Sequence, residues 1–327
     1  VHNRSHRIVF SPSSAGAYLL CRSACECVTT YMAALSQTVA NADSSTIYQS
    51  HFKGMGLCMR ILSRLLQGSY VNFGIMELYG DNSLIVARNA VLQLALSRPA
   101  EELLSYTKTT SAFFDFAEAL AENDVHAIVS MPTPALQRFM QLVELTVRRS
   151  IHEAASAASI IESIASSCFE CEKFARENGS EASAAETVAG NISAGAFAAQ
   201  AARRKKMGGA LESFAKLVGR QQFSGGASQG TDPTLFQRLL SGIFRLVVFE
   251  NCQRQASMSR PLLPLILLEP QFYSNFIKQL LQSAAGTQQG MLREALQGLM
   301  AGVASDLNSQ SKERFMQNLY KMSKAMK

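Results

Sequence analysis

The chain has 327 residues, with 31 Lys and Arg against 25 Asp and Glu for a net charge of +6, and 47% of it is hydrophobic. That length exceeds the usual size of one compact core, so two domains or an extended repeat array is expected. The apolar content excludes a chain disordered throughout, and scattered basic residues without interleaved aromatics argue against nucleic-acid binding.

Helical periodicity dominates from the start. Ala17 to Leu35 carries an apolar face, and Ile47 to Leu66 carries another, with Ser44 or Ser45 as N-cap and Gly68 as stop. Asn82 is placed to cap a helix through Ser97, and Pro99 starts the next. Thr133-Pro134 opens a helix whose stripe is Leu136, Phe139, Met140, Val143 and Val147, with Arg138, Glu144 and Arg148 largely outside it. Asp232-Pro233 repeats the start signal before a stripe of Phe236, Leu239, Leu240, Ile243 and Val247, with Gln237, Ser241 and Arg245 opposite. Asn308 is the expected cap of a last helix with the ridge Phe315, Leu319, Met322 and Met326. Period-two runs bounded by Asn-Gly or Asp-Gly are scarce, which argues against an all-β fold. Helix after helix with no strand between predicts an all-α fold, an α-solenoid of antiparallel hairpins, although the start signals are too unevenly spaced for regular units of ~40–47 residues. A compact helical bundle is the alternative.

The middle differs. Between about Asn178 and Gly230 the composition shifts to Ala, Ser, Gly and Gln. The expected organisation is therefore helical repeats over 1–177, an insertion over 178–231, and helical repeats over 232–327. The basic cluster Arg203 to Lys206 lies in the insertion, as a solvating tract or a contact for an acidic partner.

Catalytic and metal-binding patterns are weak. Gly226-Ala-Ser-Gln-Gly230 has nucleophile-elbow spacing but sits in a glycine-serine stretch, without the strand and helix that such an elbow needs. Cys168-Phe-Glu-Cys171 is half of a zinc site by spacing, yet Ala157, Ile160, Ile161, Ile164, Cys168, Cys171 and Ala175 form one helical stripe that the cysteines continue. Cys21 and Cys25 lie four apart on a predicted helix, and His2, His6, His51, His126 and His152 form no metalloprotease-like pattern. The seven cysteines lack disulfide-framework spacing, which suggests a reduced, intracellular setting. No leader precedes the first helix, so no signal peptide is expected, and no apolar run reaches the roughly 20 residues of a membrane span. The reading is a non-enzyme with no catalytic residue, no metal and no cofactor.

The most specific stretch runs from Val247 to Leu268, where an apolar run ends, a polar elbow follows, and a second apolar run begins at Pro261. It predicts two helices, each buried on more than one side. Together with Gly68-Ser-Tyr-Val-Asn-Phe-Gly-Ile-Met-Glu-Leu-Tyr-Gly-Asp81 and the tail block Arg314-Phe-Met-Gln-Asn-Leu319, it resembles the C-terminal part of exportins of the exportin-7 or Ran-binding protein 16 type, in the importin-β superfamily. The likeness is colinear from about Arg7 to the end, the insertion excepted.

The resemblance implies a HEAT-repeat superhelix within a nuclear transport receptor. It implies binding of Ran in its GTP form, mainly through N-terminal repeats that this chain lacks. Protein cargo, Phe-Gly repeats of pore proteins, and shuttling between nucleus and cytoplasm follow from it as well. Neither nucleic acid nor membrane is implied as a partner. A HEAT scaffold without a Ran cycle is the rival reading. Asn251, Arg254, Ser259 and Arg260 are expected to satisfy helix ends at the elbow, with Arg254 and Arg260 as candidate cargo or Ran contacts.

Overall fold

The structure is a computed structural model and describes residues 15–38, 47–68, 76, 80–149, 152–179, 209, 233–250, 252, 254–283 and 286–325. Every regular element among them is helical. The all-α class follows directly from the sequence periodicity. The proposed cap at Ser44 or Ser45, most of the first recognisable block (69–75 and 77–79), the basic cluster at 203–206, the elbow-spaced glycines at 226–230, Asn251 and Met326 lie outside the described residues. The protein forms two compact units, one from residues 1–124 with 132–146, the other from 125–131 with 147–327.

The first unit begins with α1 (Ala15–Thr38), α2 (Lys53–Gln67), α3 (Ser83–Ser97), α4 (Ala100–Ser105) and α5 (Thr107–Asn123). Helix α1 turns one stripe inward, Ala17, Cys21, Cys25, Val28, Met32 and Leu35, at spacings of three and four. It lays that stripe on α3, and α2 packs on α5. Side-by-side packing of alternate helices is the arrangement of an α-solenoid, in which each hairpin buries a face only by stacking on its neighbours. Met59 and Leu62 on α2 and Phe113, Phe116 and Leu120 on α5 are completely buried. Burial of each such residue is worth about 1.5–3 kcal/mol relative to exposure. Helix α7 (Thr133–Arg149) buries the predicted Leu136, Phe139, Met140 and Val143, and the Phe139 ring meets Phe113 at 6.0 Å.

The approach of α2 is not legible in its periodicity. Tyr48–Phe52 is wound as a π-helix that runs straight into α2. This wider turn goes with two cross-helix contacts. Thr109 Oγ1 donates to the Phe52 carbonyl at 3.2 Å, and the Phe52 ring lies 4.4 Å from Tyr106. Asn82 holds the predicted N-cap position, directly ahead of α3. Asn82 makes no side-chain cap, whereas Asp81 Oδ1 accepts from the Ser83 N–H at 2.9 Å, one residue earlier. Gly80 beside it adopts φ +73°, a left-handed turn that glycine accepts without cost.

In the second unit, α6 (Val125–Val129) packs on α8 (Ala154–Gly179), which α10 (Gln255–Met258) and α11 (Leu262–Leu268) also cover. Helix α9 (Leu235–Val248) packs on α11 and on α12 (Pro270–Ser283), and α13 (Gly286–Leu299) packs on α14 (Ser309–Ala325). All five predicted stripe residues of α9 are buried, with Phe244 and Val248 added, so the helix is covered on more than one side. The start signal at Asp232-Pro233 is displaced. The cap is Thr234, in a full capping box with Gln237, because the hydroxyl and amide reciprocate only when three residues apart. Asn308 does cap α14, its Oδ1 accepting from the Ser311 N–H at 2.7 Å.

Two glycines on α2 give opposite expectations. A Cβ on Gly54 would collide with the Tyr31 ring of α1, whereas one on Gly56 would meet Thr109 Cα at 3.7 Å and Ala112 Cβ at 3.8 Å, ordinary contacts. Gly54→Ala should therefore lower stability by about 1–3 kcal/mol as Tyr31 is displaced. Gly56→Ala should raise it by about 0.5–1 kcal/mol through helix propensity. Denaturant midpoints for the two variants check both signs.

Candidate functional site

The Val247–Leu268 elbow sits in the second unit and is held by side chains from several elements. Gln255 Nε2 reaches the Val247 carbonyl at 3.4 Å and so serves the C-terminal end of α9. Arg254 Nη1 donates to the His152 carbonyl at 2.9 Å, just ahead of α8. Ser259 is fully buried, its hydroxyl within hydrogen-bond reach of the Ala256 carbonyl at 3.1 Å and Met316 Sδ at 3.2 Å. Lys312 Nζ pairs with Glu162 at 3.0 Å, tying α14 to α8. At the other end of α9, Gln237 Nε2 donates to Glu269 at 3.2 Å, which joins the α9 cap to the α11–α12 corner.

These ties leave a cleft of about 340 Å³ between the elbow and α14, lined by Arg254, Gln255, Ala256, Ser257, Ser259, Met316, Leu319 and Tyr320. Leu319 and Ser259 are buried parts of its lining, and Tyr320 stands 66% exposed. The structure separates the two candidate contacts. Arg254 is exposed and borders the cleft, whereas Arg260 is exposed but is not among the lining residues. Met316 comes from the tail block and Tyr320 directly follows it, so two of the recognisable stretches meet here. Sequence reasoning misses both residues, and their offsets from Leu319 on the α14 ridge are the only available signal.

The expectation for the polar elbow residues is met for Ser259 and redirected for Arg254, which serves the approach to α8 instead of an elbow helix. Asn318 of the tail block also serves architecture, donating through Nδ2 to the Leu299 carbonyl at 3.1 Å and the Ala301 carbonyl at 2.9 Å. The α13 end it covers turns at Gly302, which has φ +69°. In the first block, Asp81 accepts from the Tyr18 hydroxyl as well as from Ser83. The Tyr18 bond first, then the Ser83 N–H, holds its carboxyl below the usual carboxylate range.

The sulfur candidates lie on helix faces that turn inward to different degrees. Cys168 is buried as the stripe predicts, Cys171 is half-buried, and Cys21 and Cys25 are buried on the inner face of α1. A hydrogen bond with Cys21 and burial together push the Cys25 thiol well above its ordinary value. Burial alone pushes Cys58 up to about 11. Among the described residues, no group of three or more His, Cys, Asp or Glu is placed to hold a metal ion, and no helix is long and apolar enough to cross a membrane.

No family model matches the protein. No solved structure matches it. Curated relatives do. It is 29% identical to exportin-7-B of Xenopus laevis and 29% identical to Ran-binding protein 17 of Homo sapiens, in each case over 98% of this chain and 26% of the relative. Ran-binding protein 16 of Drosophila melanogaster is 26% identical over the same shares. The protein matches a segment of the exportin-7 and Ran-binding protein 16/17 type. The chain spans about a quarter of the length of those relatives, which bear the names of exportins and Ran-binding proteins.

Thiol accessibility gives a direct check. Cys27 is exposed, whereas Cys58 is buried with its thiolate disfavoured. Iodoacetamide at pH 8 should modify Cys27 first and leave Cys58 unmodified until the protein unfolds, as read by peptide mass spectrometry. Because the folded value of Cys58 is raised, its contribution to stability is complete below the ordinary 9.0 and is lost as pH rises through about 11.

Proposed function

We propose that this protein is part of a nuclear export receptor that carries protein cargo out of the nucleus in a cycle driven by Ran in its GTP form. The observation that carries the reading is colinear similarity over 98% of its length to relatives named as exportins and Ran-binding proteins. The stacked helices support it, because side-by-side hairpins present long surfaces suited to reversible protein binding. Ran contact falls mainly outside this segment, and the receptor shuttles between nucleus and cytoplasm through the nuclear pore. The residues 178–231 act as an insertion between helical repeats at 1–177 and 232–327, with Arg203 to Lys206 keeping it solvated.

The cleft beside Arg254 suits one aromatic side chain of a Phe-Gly repeat, with Met316 and Leu319 against the ring and Tyr320 at the rim. Such a contact is weak alone and gains by repetition along a flexible ligand. Arg254, which borders the cleft, remains the better candidate for a cargo or pore contact than Arg260.

A chimera tests the function. Replacing the matching segment of Xenopus exportin-7-B with this protein should preserve GTP-dependent capture of Ran and export of a reporter cargo from permeabilised-cell nuclei. A folded chimera that still binds Ran but exports nothing and fails to reach the pore would favour the scaffold reading.

A further inference from the structure

Helix α2 has one face buried and the opposite face bare. Met55, Cys58, Met59, Leu62 and Leu66 turn inward. Lys53, Leu57, Arg60, Ile61 and Arg64 are all exposed, and at 3.6 residues per turn they share an arc of roughly 100° that runs for about 16 Å. Two large apolar side chains stand among these cations. Leu57 is 55% exposed and Ile61, four residues on, is 41% exposed. The exposed Tyr31 of α1 lies over Gly54 and continues the apolar strip beyond the first turn of α2.

The charge on this face is one-sided. Helix α2 contains no Asp or Glu, and neither do α3 or the π-helical turn that leads into α2. Carboxylates are present on the other two neighbours, Glu26 on α1 and Asp115, Glu118 and Glu122 on α5. Glu26 pairs with Arg22 on its own helix. Among the described residues, Lys53, Arg60 and Arg64 make no ion pair with any of these groups. Arg60 and Arg64 also repel each other, as like charges four apart on a helix do.

We propose that this face of α2 docks an acidic amphipathic helix from a partner protein. The apolar edge of that helix rests on Leu57 and Ile61, and its carboxylates face Lys53, Arg60 and Arg64. A carboxylate set between the two arginines replaces their repulsion with charge-assisted hydrogen bonds. Three turns of basic face match three turns of a partner helix, read through anchors at helical spacing. Nucleic acid fits less well, because its phosphates would leave Leu57 and Ile61 wet and Tyr31 is the one exposed aromatic on this strip for bases to stack on. A lipid surface needs a broad apolar face to insert, and the broad face of α2 is already buried. The surface lies in the first unit, and the proposal is independent of the elbow cleft and of the export reading.

The probe is a fluorescein-labelled peptide of about 18 residues, long enough to hold a helix, built from Glu, Ala and Leu with the leucines on one face. Titrated with the full 327-residue protein, it should give saturable anisotropy that weakens as salt rises. Replacing its Glu by Gln should weaken binding at least tenfold, and scrambling the leucines at least threefold. R60E with R64E should weaken it at least tenfold, and L57Q with I61Q at least threefold, each with a melting temperature within a few degrees of the parent. The same charge change on exposed α14 residues, K321E with K324E, should leave binding within twofold. Where a double variant does not fold, hydrogen exchange of the parent should show peptide-dependent protection centred on residues 53–64. Equal binding of the Gln peptide, equal loss in the α14 variant, tighter binding of a single-stranded oligonucleotide or of phosphatidylserine vesicles, or no saturable binding would each overturn the assignment.

Discussion

Backbone carbonyls at the helix corners set the terms for the rest of this structure. A stack of short helices ends often, and each end leaves carbonyl groups that no intrahelical N–H can reach. Here, side chains from neighbouring elements reach several of them. Arg138 covers the end of α3, Asn318 the end of α13, Gln255 the end of α9, and Arg254 the approach to α8. The bonds at α8, α9 and α13 join elements that also pack on one another, so packing and backbone satisfaction specify the same neighbours there. Without these donors, the corners would be wet or strained, and the stripes alone would fix the spacing of the helices less sharply.

This constraint explains why the recognisable stretches of sequence are mostly architectural. Ser259, Gln255 and Arg254 in the elbow, Asn318 in the tail and Asp81 in the first block all hold corners or helix starts. Their pattern resembles exportin-7-type sequences because it records how one helix hands over to the next. Cavities lie beside two of these corners, lined by side chains that also secure the fold. Arg254 does this at the elbow cleft and Arg138 at the α3–α4 corner.

The stripes on α7, α9 and α14 are legible because a helix buried on one side must repeat its apolar residues every three or four positions. Leu136, Phe139, Phe236, Ile243, Phe315 and Leu319 are all buried accordingly. The caps are half legible. Asn308 caps through its own side chain, whereas Asn82 holds the cap position and leaves the Ser83 N–H to Asp81, a division that the letters alone do not show. The Thr234–Gln237 pair is present in the sequence as a capping box and is masked by the stronger Asp-Pro signal. The π-helix at Tyr48–Phe52 depends on Thr109 and Tyr106, more than fifty residues away, and no local pattern reports it. The tie at the end of α3 is invisible for the same reason, since Arg138 reaches it across 42 residues of sequence.

Cross-helix donors at the corners hold the stack together. Equilibrium unfolding of Asn318→Ala beside Arg22→Ala, whose i,i+4 pair with Glu26 is exposed, puts that statement to a direct test. Asn318→Ala should lower stability by about 1–3 kcal/mol, because two carbonyls at the end of α13 lose their donor. Arg22→Ala should stay within about 0.5 kcal/mol of the parent. Equal stabilities for the two variants would mean that the corner donors do not hold the stack.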